Sequence, residues 1–287
     1  MKNRNAVSSR SGLIQRMLLT PYSVWALLFI VVPLFFIAFY AFTDSEMHFT
    51  LGNIRQVFTY RIDEEQVLPY YVVVFGRSFK LALISTLICL LLGYPFAYRI
   101  AHSSPRVQSI LITVIMIPMW MNFLIRTYAW TVILQDKGIL NTGLGLLGLG
   151  PIHVIGTETA VIIGMVYDYL PYMILPIYSV MAKMDDKLIE AAKDLGCNGA
   201  GVLRRVIWPL SLPGVISGVN MVLIPSVSTF YISQKLGGKM KLIGDEIEQK
   251  YADFDFNGAA AIAFIMMVLL LVVMALLQHW AAKRSAA

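Results

Sequence analysis

Three features of the 287-residue sequence predict an all-α integral membrane protein with six transmembrane helices. Apolar runs of about twenty residues, long enough to cross the hydrocarbon core of a bilayer as helices, recur along the chain. Only 14% of residues are charged and 58% are hydrophobic, against roughly a quarter charged in a soluble domain of this size. The polar segments between the runs alternate in charge, as they do when successive loops lie on opposite sides of a membrane.

The first run, 22–42, follows Lys2, Arg4, Arg10 and Arg16. A basic start before an apolar run is also the shape of a signal peptide. This run is too long and lacks a small-residue cleavage site, so it is read as a retained first span. Residues 1–21 form a cytoplasmic segment, in which 9–20 is either a short amphipathic helix on the membrane surface or an unstructured tail. The stretch 43–77, with Asp44, Glu46, Asp63, Glu64 and Glu65, is assigned to the external side. Span two covers 79–100, and Arg99, His102 and Arg106 mark a short cytoplasmic turn after it. Span three, 107–134, is interrupted by Pro118, Asn122 and Arg126, and the glycine-rich 135–157 is external. Span four covers 159–181, span five 212–232 and span six 258–280, so the membrane domain occupies 22–282 and 283–287 is a cytoplasmic tail.

Charge counts test that topology. The proposed inner segments carry thirteen cations against four acids, the outer ones nine cations against twelve acids. The bias places both termini in the cytoplasm of a multi-pass protein. It also accounts for the net charge of +6 without invoking nucleic acid. Cys89, in an apolar run, and Cys197 have no spacing that suggests a disulfide or a metal site.

One polar, basic interruption, 187–209, stands apart from the other loops. Leu188, Ala191, Ala192 and Leu195 lie at helical spacing on one face, with Glu190, Lys193 and Asp194 elsewhere. Gly196 permits a sharp turn, 202–208 resumes a helical run, and Pro209 is expected to end it. A helix–glycine–helix elbow between spans suits a rigid plug that docks onto a soluble partner.

Glu190-Ala191-Ala192, Gly196 and Pro209 resemble the EAA loop of permease subunits in binding-protein-dependent ABC importers, with Val206 and Trp208 standing where that pattern has Ile and Leu. Further stretches are similar to the spermidine/putrescine branch of the family. They are 93–97 (GYPFA), 124–128 (LIRTY), Asp136-Lys137-Gly138 with Leu140-Asn141, Leu170-Pro171 through Tyr178, and Gly237-Gly238 with Leu242-Ile243-Gly244. The resemblance implies the type I, MetI-like permease fold, with an EAA coupling loop at about 183–211. It also implies a complex with a second homologous permease, a cytoplasmic ATPase dimer and an extracytoplasmic polyamine-binding protein, in the bacterial cytoplasmic membrane. ATP and magnesium would sit on the ATPase, with no cofactor on this chain. Glu190, Ala191, Ala192, Gly196 and Pro209 would then couple the spans to that ATPase.

Two ionisable residues lie within spans, where a charge costs about 2.5–3.5 kcal/mol on insertion scales. Asp168 is roughly 14 Å along its span at about 1.5 Å per residue, near the midplane. Tyr167 and Tyr169 flank it, and Tyr172 follows one turn later. A carboxylate among aromatic faces suits a cationic amine, so Asp168, Tyr167 and Tyr172 are candidate path residues. Arg126 shares a helix face with Asn122 and Trp130, and these three join the candidates. A plainer reading has Arg126 snorkelling or paired with Asp168. Gly214 and Gly218 form a small-xxx-small stripe that suits a permease–permease interface.

Other classes fit less well. The sequence has no G-x-x-x-x-G-K-[ST] phosphate loop, so an ATP-driven transporter needs its ATPase on another chain. The paired inverted repeats of many ion-coupled secondary transporters are not found, and His48, His102, His153 and His279 are too scattered for an enzyme site. An ATP-driven importer of polyamines is the leading reading. An importer of another small solute, then an ion-coupled transporter, are the alternatives.

Overall fold

The computed structural model of the protein describes residues 20–59 and 69–285. Lys2, Arg4, Arg10, Arg16, Asp63, Glu64, Glu65, the surface segment up to residue 19 and the last two residues of the tail lie outside them. The chain runs through α1 (Thr20–Ala41), a short α2 (Gly52–Val57), α3 (Tyr70–Ala101), α4 (Pro105–Trp120), α5 (Phe123–Leu134) and α6 (Ile139–Leu146). It continues through α7 (Glu158–Met181), α8 (Asp186–Asp194), α9 (Gly199–Val227), α10 (Tyr231–Leu236), α11 (Ile243–Ala252) and α12 (Phe256–Ser285). Among the described residues α1, α3, α7, α9 and α12 are each long and apolar enough to cross a membrane. Helix α4 and the α5–α6 run meet the same test together but bend through 91° where they join.

Helix α7 is the centre of the bundle, packed between α3 and α9, which also touch each other. Its buried face carries Val161, Met165, Met173 and Ile177. Helix α9 meets it almost backbone to backbone. A Cβ added at Gly214 would lie 2.8 Å from the Pro176 carbonyl oxygen, and one at Gly218 would lie 2.9 Å from Met173 Sδ. The small-residue stripe therefore serves an intrachain contact, correcting the expectation of an interface between permeases. Helix α12 lies against α1 and α11, and a second apolar cluster joins Val74 and Phe75 of α3 to Leu223, Val227, Ile243 and Ile262.

Other boundaries differ from the sequence reading for local reasons. Helix α3 begins at Tyr70, not 79, because the aromatic and β-branched residues before Arg77 also bury Val74 and Phe75. Span three breaks after Trp120: Pro118 withholds a backbone N–H, Met121 is extended, and the Asn122 side chain accepts from the Leu124 N–H at 2.8 Å to cap α5. Part of the glycine-rich 135–157 is helical, as α6. Pro209 does not end its helix. A π turn at Leu203–Ile207 immediately precedes it, widening the helix where the ring would otherwise strike the preceding turn, and α9 runs on to Val227.

The bundle has two chemically distinct ends. At one end lie the 102–104 turn, α8 and the start of α9, held by Tyr94 Oη to Ser211 Oγ at 3.0 Å and by Gln108 Nε2 donating to the Ala101 carbonyl at 2.8 Å. At the other, α10 and α11 cap the helices. Ile243 N–H donates to Ser78 Oγ at 2.8 Å, Gly156 N–H to the Leu236 carbonyl at 2.8 Å, and Lys80 pairs with Glu158 at 2.6 Å. In this cap Asp245 and Glu246 are both 5% exposed. Asp245 accepts from the Leu242 N–H at 2.7 Å, while Glu246 accepts from Tyr70 Oη at 2.7 Å and faces Lys241 at 3.3 Å.

Two predictions follow from this packing. Gly214→Val should lower the thermal stability of the detergent-purified protein by about 1–3 kcal/mol through overpacking. Gly143→Ala, at a helical position with nothing within 4 Å, should not. Burial also pushes the Asp245 carboxyl up from 3.8 to about 6, against the lowering effect of the Leu242 N–H. The folded chain therefore holds a proton that the unfolded chain has lost, and its stability falls as pH rises from about 4 to about 6. Asp245→Asn keeps an acceptor for Leu242, so its melting advantage over wild type should grow across that window and then level off. A constant difference across pH would contradict the assignment.

Candidate functional site

The elbow is built by two helix ends that stop and start by different devices. Asp185 caps α8 by accepting from the Lys187 N–H at 3.0 Å. Asp186 in the first turn and Lys193 in the last suit the helix dipole. Gly196, at φ +84°, ends the helix in a Schellman turn: its N–H donates to the Lys193 carbonyl at 2.8 Å and the Cys197 N–H to the Ala192 carbonyl at 3.0 Å. Asn198 then caps α9 by accepting from the Gly201 N–H at 2.8 Å. The turn has no slack backbone; it is a fixed corner.

One side of this corner is seated on the bundle. Ala192, Val202 and Ile207 are buried in the main core, with Ile189 packed against it. The opposite side is open. Leu188, Ala191 and Leu195 are exposed, Leu195 at 85%, and Glu190 between them makes no ion pair among the described residues. Of the five candidate coupling residues, Glu190 and Ala191 face outward, Ala192 anchors inward, Gly196 makes the turn, and Pro209 lies inside α9. Trp208 packs on Tyr94 with ring centroids 5.1 Å apart. Beside it, a groove of about 790 Å³ between α3 and α9 is lined by Leu91, Pro95, Arg204 and Pro209 among others.

The second candidate cluster lies within the spans. Arg126 and Asp168 come together across α5 and α7, with Nη1 3.4 Å from Oδ1, and are 7% and 1% exposed. Thr127, missed in the sequence reading although it follows Arg126, donates its hydroxyl to Asp168 Oδ2 at 3.5 Å. Arg126 Cζ lies 6.0 Å from the Phe123 ring centroid, and Phe123 packs on Tyr231 at 6.2 Å. Tyr169 points elsewhere, donating to the Pro225 carbonyl at 3.3 Å. Trp130 and Tyr167 form an edge-to-face pair at 5.3 Å, with Tyr167 36% exposed beside the buried carboxylate. Tyr172 is 37% exposed one turn on. Asn122 is not drawn into this cluster; it is exposed and caps α5. In this conformation Asp168 is closed off and faces a guanidinium, which is the plainer of the two readings of Arg126.

Among the described residues, five apolar spans and one bent pair in a bundle centred on α7, interrupted by an outward-facing helical corner, define an integral membrane permease of the ABC importer, MetI-like fold. A family profile described as the binding-protein-dependent transport system inner membrane component matches residues 89–286, and the chain belongs to that family. It is 38% identical over 256 residues to the spermidine/putrescine transport system permease protein PotB of Haemophilus influenzae, covering 86% of this chain and 88% of that one. It is likewise 38% identical over 266 residues to the Escherichia coli protein of the same name, covering 91% and 94%. Among solved structures, a bacterial alginate ABC transporter bound to its alginate-loaded periplasmic protein matches with a TM-score of 0.75 at 16% identity, covering 96% of both chains. The last likeness concerns the fold alone.

A double-mutant comparison tests the buried pair. Asp168→Leu alone strands a buried guanidinium and should cost about 3–5 kcal/mol of stability, whereas Arg126→Met with Asp168→Leu should recover most of it. Thermal unfolding in detergent reads both. A double variant as unstable as the single would mean that the two side chains are not energetically coupled.

Proposed function

We propose that this chain is the permease subunit of an ATP-driven importer of spermidine and putrescine. It works with a second homologous permease, a separate ATPase dimer that binds ATP and magnesium, and an external polyamine-binding protein. The observation that carries the polyamine assignment is 38% identity, over most of both chains, to permeases named for those cargoes. The excess of cations in the inner segments supports termini and elbow in the cytoplasm. An ATPase docked there would cover the exposed face of Leu188, Ala191 and Leu195, an apolar patch that water would otherwise meet. Glu190, at its edge, offers a carboxylate to a basic group on that partner. The fixed Gly196 corner would pass ATPase closure into α7 and α9, the spans that flank it.

Within the spans, Asp168 would supply the negative charge for an ammonium group, with the partly exposed Tyr167 and Tyr172 on the same helix and the half-buried Trp130, paired edge-to-face with Tyr167, as its aromatic partners. Arg126 modulates that charge, and Asn122 shapes the break beside it.

Uptake into proteoliposomes by the reconstituted complex, with its binding protein, tests the cargo. Saturable, ATP-dependent uptake of spermidine that exceeds that of inorganic anions is expected; preference for an anion would overturn the polyamine assignment. Gly196→Val, which forces a β-branched residue to φ +84°, should leave membrane insertion intact. It should cut transport per ATP hydrolysed at least about tenfold. Unchanged coupling in that variant would remove the elbow from the mechanism.

A further inference from the structure

We propose that Arg126 sets the charge requirement of the cargo: its guanidinium holds the Asp168 carboxylate in the closed bundle, and a multiply charged amine displaces it where a monoamine does not. The inference rests on the reading above that Asp168 lies on the cargo path.

The pair is buried but incompletely bonded. Although Nη1 and Oδ1 are 3.4 Å apart, neither atom has a hydrogen-bond partner among the described residues, and Arg126 Nε has none there either. Buried polar atoms are almost always paired, and a buried ion pair offsets its desolvation only when its remaining donors and acceptors are satisfied. Three unsatisfied atoms in a single pair are a poor device for stability. They leave Asp168 able to accept another donor.

The paired guanidinium also has an aromatic neighbour. Its Cζ lies 6.0 Å from the Phe123 ring centroid, and a weakly hydrated, planar guanidinium stacks on aromatic faces where an ammonium would demand water. A guanidinium displaced from the carboxylate would keep that ring as a partner. Tyr167 precedes Asp168 on α7 and forms an edge-to-face pair with Trp130, whose ring faces would suit an incoming ammonium.

Charge number then decides the exchange. The resting pair is neutral. A monoamine must compete one for one, from bulk solution, with a guanidinium that is permanently present. A polyamine held at the aromatic pair by one ammonium presents its next ammonium at high effective concentration, so the same exchange becomes intramolecular.

The test is amine binding to the complete permease–ATPase complex in nanodiscs, without the external binding protein, so that the receptor does not set the selectivity. Spermidine and n-butylamine are titrated calorimetrically. Wild type should bind spermidine and not n-butylamine. Arg126→Gln, which keeps donors toward Asp168 but not the charge, should tighten spermidine binding about tenfold and admit n-butylamine. Unchanged or weaker spermidine binding in an assembled Arg126→Gln complex overturns the proposal. If that variant does not assemble, the wild-type complex decides the question with two amines of equal carbon number. Binding of putrescine, with two ammonium groups, but not of n-butylamine, with one, supports the exchange, and equal binding of both overturns it. A wild-type complex that binds no amine removes the cargo assignment itself, whereas wild-type spermidine binding with unaltered variants removes only this inference.

Discussion

The contact between α7 and α9 is the constraint on which the rest of the molecule depends. Water does not drive helices together inside a bilayer, so association there relies on close packing and interhelical hydrogen bonds. Gly214 and Gly218 let α9 approach the Pro176 carbonyl and Met173 of α7 to within van der Waals range, and Gly93 of α3 does the same on the other side of Met173. The two prolines of α7 add to this. Pro176 frees backbone groups that only protein neighbours can shelter, as is required of irregular backbone at membrane depth.

That contact places the two candidate sites on one mechanical element. The elbow leaves α7 at Met181 and returns through α9, while Asp168 sits partway along α7 with Arg126 reaching it from α5. A displacement of the corner therefore acts on both flanking helices together. Helix α5 is less tightly bound to this unit, because the 91° break at its start disconnects it from α4. The ion pair of Arg126 with Asp168 therefore joins two helices, α5 and α7, of which only α7 belongs to the closely packed α7–α9 unit. The under-bonded state of Arg126 and Asp168 is consistent with a contact made to be broken rather than one that locks the fold.

The parts of this arrangement that sequence reveals are those governed by short-range rules. Span lengths for α1, α7 and α12 follow from apolar run length, and the Gly196 corner follows from a single residue whose backbone conformation few others tolerate. The pairing of Arg126 with Asp168 was one of two open readings, because both charges were visible but their separation of 42 positions was not bridged by any local rule. What sequence misassigned depends on tertiary partners. Gly214 and Gly218 advertise a close contact without naming its other side. Tyr70–Phe75 look like loop until Val74 and Phe75 are seen against Ile243 and Ile262. The burial of Asp245 and Glu246 was not legible at all, since the helix that carries them is short and polar and is buried only by what packs over it.

Pro209 shows how the same sequence signal changes meaning with its neighbours. In isolation a proline after a polar elbow marks a helix end, and an EAA loop ending there would be a separate module hinged to the next span. The π turn at Leu203–Ile207 instead carries the helix past the proline, so the elbow and the span beyond it form one continuous rod. A hinge at that point would absorb motion of α8; a rod passes it on. The corner at Gly196 is fixed by its Schellman hydrogen bonds and the far side of the joint is continuous helix, whereas α4 and α5 are joined through the extended Met121. The sequence therefore places a hydrogen-bonded corner and an unbroken helix at the elbow, and a sharp bend at the start of the helix that carries Arg126.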